Sequence, residues 1–211
     1  MNQNGTYEKR GPNARKESER RPNASPLRIG EVVSPRELAT IHGDTVRVPD
    51  PEHVVHLQFR RFAGCPVCAV HLRSIAMRHP ELVAAGIREV VVFHSAAKKM
   101  LEFHDLLPFA AIADPEKTLY AEFGADRNLK MSPTAIINPR TYLVAVNTLV
   151  RGSKLNVNWT GKGEVRDGAP SEFLIGTDGR LMAVKYGNRI DDHWSVDEIL
   201  ELGKSGPRRM S

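Results

Sequence analysis

His53-Val54-Val55-His56-Leu57-Gln58-Phe59-Arg60-Arg61-Phe62-Ala63-Gly64-Cys65-Pro66-Val67-Cys68 reads as a strand that runs directly into a helix. Residues 53–59 alternate in polarity and are rich in β-branched types, which suits a pleated, half-buried segment. Beyond Pro66 the period becomes helical. Cys68, Leu72, Ile75 and Ala76 share one face, and His71, Arg73 and Arg78 lie mostly off it. Proline suits the first helical position, so Cys65 stands at the strand-to-helix junction and Cys68 one turn later.

The flanking segments extend the alternation of strand and helix. Gly86 precedes Glu89-Val90-Val91-Val92-Phe93, a continuous apolar run of the kind a buried parallel strand shows. Ser95 is expected to cap a helix through about His104, and Phe109–Ala113 reads as a third strand. Asp114-Pro115 then opens a helix that Gly124 ends. Upstream, Ser34-Pro35-Arg36-Glu37 is expected to cap a short helical turn, and Gly43-Asp44 marks a turn. Residues from about 125 to 170 form an insertion. Pro139–Val150 reads as an amphipathic helix with Tyr142, Val146 and Val150 on one stripe, and Arg151–Ala169 as a long polar loop. Glu172–Ile175, Thr177-Asp178-Gly179-Arg180 and Leu181–Tyr186 read as a hairpin around an Asp-Gly turn. Ser195-Val196-Asp197-Glu198 is a capping box opening a last helix that stops near Gly203. The order is strand–helix–strand–helix–strand, insertion, hairpin, helix, without internal repeat. It describes an α/β domain over residues 29–202.

Composition narrows the function classes. The net charge of +5 over 211 residues resides in the ends. Residues 1–28 carry seven Lys/Arg against three Glu, residues 203–211 carry three Lys/Arg, and the body has 20 basic against 22 acidic side chains. No basic stripe lies on a folded face, so specific nucleic-acid binding is not expected. Residues 1–28 hold too little apolar surface to offset ordering entropy and are read as a disordered basic tail; residues 203–211 are read as flexible. Met1–Arg28 has no apolar targeting core, and no stretch approaches the ~18–20 apolar residues of a membrane span. The expectation is a cytoplasmic protein without membrane attachment.

The chain has two cysteines, three apart. A secreted disulfide scaffold would need more, at wider spacing. A thiol reacts as its thiolate, and free cysteine with a pKa of about 8.5 is mostly protonated near neutrality. A helix N-terminus lowers that pKa through its unpaired N–H groups and dipole, and Arg60, Arg61 and Arg73 are close in sequence. Cys65, before the first turn, is therefore expected to be the exposed nucleophile. Cys68, on the inward face, is expected to resolve the oxidised sulfur as an internal disulfide. Core packing alone gives no reason for this spacing. A metal reading draws on His71, which extends the pattern to Cys-x-x-Cys-x-x-His, but it lacks a fourth ligand and a second Cys pair. Haem attachment fails because Ala69 follows the second cysteine. No metal and no cofactor is expected.

Phe59–Cys68 and its helix, Glu89–Ser95, Ile112-Ala113-Asp114-Pro115-Glu116-Lys117 and Phe173–Leu200 together resemble peroxiredoxin-like proteins. These form the alkyl hydroperoxide reductase / thiol-specific antioxidant group of the thioredoxin-like superfamily. The resemblance implies a thioredoxin-like fold, a central mixed sheet with helices on both faces, and a peroxide- or disulfide-handling thiol at Cys65. It also implies a substrate-side cis-proline before the final hairpin. Pro170 is the matching position, preferred over Pro133, which a helical period follows. The family pattern Pro-x-x-x-Thr-x-x-Cys is not kept. Counting back from Cys65 the threonine position is Phe62, and counting back from Cys68 it is Cys65 itself.

Two function classes follow. The first is an enzyme that reduces hydroperoxides, or in a variant protein disulfides, and is recharged by an external thiol reductant such as a thioredoxin. The second is a non-catalytic binding or redox-sensing module on the same fold. His193-Trp194 beside Asp191 and Asp192 is read as an acidic solvated loop around a packed tryptophan, His94 as a structural histidine, and Arg151, Lys154, Lys162 and Arg166 as a solvated loop.

Overall fold

The computed structural model describes residues 25–126 and 169–204. The expected helix at 139–150, Pro133, the loop up to residue 168 and most of both tails lie outside the described residues. The first two strands form an antiparallel pair, β1 (Arg36–Ala39) and β2 (Thr45–Val48), with Arg36 opposite Val48 and Ala39 opposite Thr45. This replaces the helical turn expected at Ser34–Glu37. The Gly43-Asp44 turn, with Gly43 at φ 91°, brings a partner strand within reach, and Thr40 N–H donates to the Asp44 carbonyl at 2.7 Å. A capping signal cannot hold one isolated turn against a ladder of that kind.

Five strands form the main sheet: β3 (Val54–Phe59), β4 (Ile87–Phe93), β5 (Ala110–Ala113), β6 (Ser171–Ile175) and β7 (Leu181–Tyr186). Their order is β5-β4-β3-β6-β7. β3, β4 and β5 run parallel, whereas β6 is antiparallel to both β3 and β7. The Asp178-Gly179 turn closes the last hairpin as expected, with Gly179 at φ 81°. Among the described residues the helices are α1 (Pro66–Ala84), α2 (Ala97–His104), α3 (Thr118–Glu122) and α4 (Val196–Lys204). The expected thioredoxin-like, mixed α/β architecture is present.

Alternation along β3 sorts its side chains onto two faces. Val55, Leu57 and Phe59 join Val90, Val92, Phe173, Tyr120 and Phe123 in one apolar cluster, covered by β1–β2 and α3. Phe59 meets Tyr120 edge-on at 4.9 Å and Phe173 at 5.7 Å. Each fully buried side chain of this size contributes roughly 1.5–3 kcal/mol. On the opposite face α1, α2 and α4 pack through Leu72, Ile75, Leu82, Met100, Val196 and Ile199.

Two helix starts differ from expectation. Ser95 does not cap α2, whose N-cap is Ala96 without a side-chain bond; its hydroxyl accepts the Ala63 N–H at 2.9 Å instead. Asp114 does cap, but over a helix that begins four residues later. Its carboxylate accepts from Thr118 N at 3.0 Å and Leu119 N at 2.8 Å. The capping box of α4 forms as read, Ser195 N–H donating to Glu198 Oε2 at 2.7 Å and Glu198 N–H to Ser195 Oγ at 3.3 Å.

Candidate active site

The loop between β3 and α1 is fixed through its backbone. Arg60 N–H continues the parallel ladder to the Val92 carbonyl at 2.9 Å. The Tyr120 hydroxyl donates to the Arg60 carbonyl and, at 3.0 Å, to that of Val92, which ties the ends of β3 and β4 together. Ala63 is held at both of its polar groups, by Ser95 at its N–H and by His104 Nε2 at its carbonyl, 2.7 Å away. Cys65 N–H then bonds the Phe62 carbonyl at 3.0 Å, and Cys65 becomes the N-cap of α1 with extended backbone and Pro66 behind it.

Both cysteines are free thiols, each 1% exposed. Cys65 is therefore buried and not exposed as expected: Phe62 and Ala63 fold inward with the cysteines, against Phe103 and Leu107. Cys65 Sγ accepts the Cys68 N–H at 3.5 Å, taking up one of the unpaired donors of the helix start. The two thiols divide one charge unequally. The hydrogen bond that Cys65 gives Cys68 pushes the Cys65 thiol well above its ordinary range, and burial adds to this. Burial also pushes Cys68 up, but the Cys65 bond, the Arg61 backbone N–H and the Arg60 and Arg61 guanidinium charges outweigh it and bring Cys68 down to about 7. Of the two thiols, the surroundings hold Cys65 up and Cys68 down. A nearby cation and donors to the sulfur favour the thiolate, and they converge on the inner cysteine.

Beneath α1, the second face of β3 carries a polar row that the sequence reading missed. His56 Nδ1 faces both oxygens of Glu89, at 3.0 and 2.9 Å. Gln58 donates to Glu89 and accepts from Arg60 Nε at 3.1 Å. Arg60 Nη2 bonds Glu172 Oε1 at 2.6 Å, and Nη1 meets His193 Nδ1. The second oxygen of Glu172 takes the Trp194 N–H at 2.6 Å. His71, one turn past Cys68, packs its ring at a tilt against His193 with ring centres 4.4 Å apart and points Nε2 at Glu172 Oε1, 3.7 Å away. His193 thus belongs to a buried network and not to a solvated loop. The available signal was period-2 polar residues in a strand covered on both faces, because such groups must find partners there.

His71, Glu172 and His193 could offer three ligand atoms within 4.8 Å of one another. Arg60 already bonds Glu172 and His193, so a divalent cation would meet its guanidinium charge. No group of possible ligands among the described residues includes a thiol. A groove of about 490 Å³, lined by His42, His53, His79, Arg88 and Phe109 among others, opens where β4 and β5 begin, at the other end of the sheet from the thiols. Pro170 is buried, one residue beyond the Ser171–Phe59 pair, and its carbonyl accepts the Gly187 N–H at 2.8 Å. Its peptide bond is not cis; among the described residues the cis bond is Val48–Pro49. His94 is buried at the end of β4 with its ring edge-on to Tyr120 at 5.7 Å.

Among the described residues no helix is long and apolar enough to cross a membrane. Comparison with known proteins gives a consistent family. No curated protein matches the chain. Among solved structures it is similar to peroxidoxin BcpB from Mycobacterium tuberculosis, at 17% identity and a TM-score of 0.59, over 84% of this chain and 97% of that one. It is similar to a cysteine-to-serine mutant of PrxQ from Xylella fastidiosa, at 14% identity and a TM-score of 0.62, over 86% and 98%. A mutant of peroxiredoxin 6 from Arenicola marina matches at 14% identity and a TM-score of 0.61, over 85% and 73%. At these identities the likeness speaks to fold. The AhpC/TSA family model matches residues 29–153, more than half of the chain. The chain belongs to the AhpC/TSA family, as a thiol-dependent, peroxiredoxin-like reductase on a thioredoxin-like fold.

Proposed function

We propose that the protein reduces hydroperoxides through the Cys65–Cys68 pair, with Cys68 as the attacking thiolate and Cys65 as the resolving thiol. The observation that carries the assignment is the convergence of the Arg61 N–H and the Arg60 and Arg61 charges on Cys68, while Cys65 gives Cys68 a hydrogen bond. The roles read from sequence are exchanged in this scheme. The Cys68 sulfur attacks a peroxide oxygen, an S–O bond forms as O–O breaks, and the leaving alkoxide takes up a proton. Cys65 then attacks the sulfenic acid, an S–S bond forms and water leaves. An external dithiol, such as a thioredoxin, supplies the two electrons that reopen the disulfide. Counted back from Cys68, the family's threonine position is Cys65, whose S–H serves there as donor. Pro170 borders the substrate side, at the sheet end where the cysteine loop begins. Two close thiols fit a reducing compartment such as the cytoplasm.

The test is stoichiometric hydrogen peroxide added to the reduced protein, with free cysteine as control. Thiol loss orders of magnitude faster than the control, two thiols per peroxide, is expected. Cys68→Ser should abolish it, and Cys65→Ser should stop at a trapped sulfenic acid. A rate equal to the control removes the peroxidase assignment and leaves disulfide exchange.

A further inference from the structure

We propose that the groove where β4 and β5 begin is a binding site for a small apolar carboxylate, separate from the thiols. Its volume of about 490 Å³ falls within the roughly 300–1,000 Å³ of small-molecule sites. The lining divides by chemistry. Val83 of α1, Ile87 at the start of β4 and Phe109 just ahead of β5 give it an apolar part, and His53, His79 and Arg88 give it nitrogen donors. Val83 is 57% exposed, a branched apolar side chain left open beside the groove. A concave apolar surface with a few convergent polar groups is the form that small-molecule sites take.

A buried carboxylate braces the polar side. Asp50, 3% exposed, accepts the backbone N–H groups of Glu52 at 2.8 Å and His53 at 3.2 Å through Oδ1. The same oxygen lies 3.4 Å from His53 Nδ1, and Oδ2 takes Arg88 Nη1. Arg88 Nη2 stands 3.3 Å from that Nδ1. These contacts hold both side chains while engaging one nitrogen of His53 and two of the five guanidinium N–H groups. His53 Nε2 and the other Arg88 donors, on side chains 35% and 40% exposed, remain for a ligand. His79, its ring centre 5.5 Å from that of Phe109, adds ring nitrogens beside the apolar part. The acids around the groove are differently placed. Glu89 is buried against His56 Nδ1 at 2.9 Å, Asp44 stands on the exposed β1–β2 turn, and Asp105 faces the rim residue His42 at 3.9 Å. The groups open to a ligand on this wall are therefore donors. An anionic acceptor complements them, and a planar carboxylate matches the fork of an arginine.

The experiment is calorimetric titration of the reduced full-length protein with naphthylacetate, and with naphthylacetamide as its uncharged match. The acid should bind saturably, about tenfold more tightly than the amide, because only the acid makes a charge-assisted bond to Arg88. Arg88→Gln should weaken the acid about tenfold and leave the amide unchanged. Val83→Trp, at an exposed helix position, should fill the groove and weaken both ligands. Should Arg88→Gln not fold, Val83→Glu carries the same test, since an anion added at the groove should weaken the acid alone. Equal binding of acid and amide overturns the proposal, as does binding that Val83→Trp leaves intact, which puts the ligand elsewhere on the molecule. A failure to saturate up to about 10 mM overturns it as well. No thiol takes part, so Cys68→Ser should bind as the parent does, and the outcome stands apart from the peroxidase reading.

Discussion

The two faces of β3 are made by one alternating strand and serve opposite ends. On one face Val55, Leu57 and Phe59 enter an apolar cluster whose work is burial. On the other His56 and Gln58, with Arg60 just beyond, enter a hydrogen-bonded row that ends at Glu172 and His193, and the Arg60 charge favours the Cys68 thiolate. Burying charges costs several kcal/mol per ion before their mutual attraction offsets it, so this row is a poor way to gain stability. It is an effective way to keep a cation buried where water cannot screen its charge. The apolar face stabilises the sheet, and the polar face spends part of that stability to hold a charge.

Variants on each side can break or sharpen this division. Phe59→Ala, on the apolar face, is expected to destabilise by about 3–5 kcal/mol in chemical denaturation, from lost burial and a cavity. The surviving folded protein should keep the thiol titration of the parent; a shifted titration would mean that the two faces are not separable. Ser95→Ala leaves the buried Ala63 N–H without its acceptor and should cost about 1–3 kcal/mol. Because Ala63 lies in the cysteine loop, the variant should also slow peroxide-dependent thiol loss, unlike the apolar-face variant. With Cys68 lowered to about 7, thiolate rises with pH and the first-turnover rate should climb on the order of fivefold from pH 6 to 7, then less than twofold by pH 8. Free cysteine should climb about tenfold over the first pH step and about eightfold over the second, and a parallel slope for the protein would contradict a lowered Cys68 pKa. The smallest effect belongs to the exposed start of α4. Ser195→Ala should cost about 1 kcal/mol with no change in thiol reactivity, since its capping box touches neither face.

Local chemistry wrote much of this fold legibly into the chain. The β3-to-α1 junction, the Asp178-Gly179 hairpin and the Ser195–Glu198 box follow from alternation, turn conformation and capping, each acting within about four residues. These signals misled where a distant partner won: Arg36–Ala39 joined β2 and not a helical turn, and the Ser95 hydroxyl went to Ala63, 32 positions away. The cysteine spacing and its place at a helix start were readable, and so was the family resemblance. Which sulfur the surroundings favour as thiolate was not. That depends on the bond from Cys65, on the Arg61 N–H and on Arg60, and Arg60 in turn is held by Glu172, 112 residues along the chain. A helix start lowers the pKa of any cysteine placed there, but burial and the direction of a guanidinium are properties of packing. No spacing rule within the sequence encodes them.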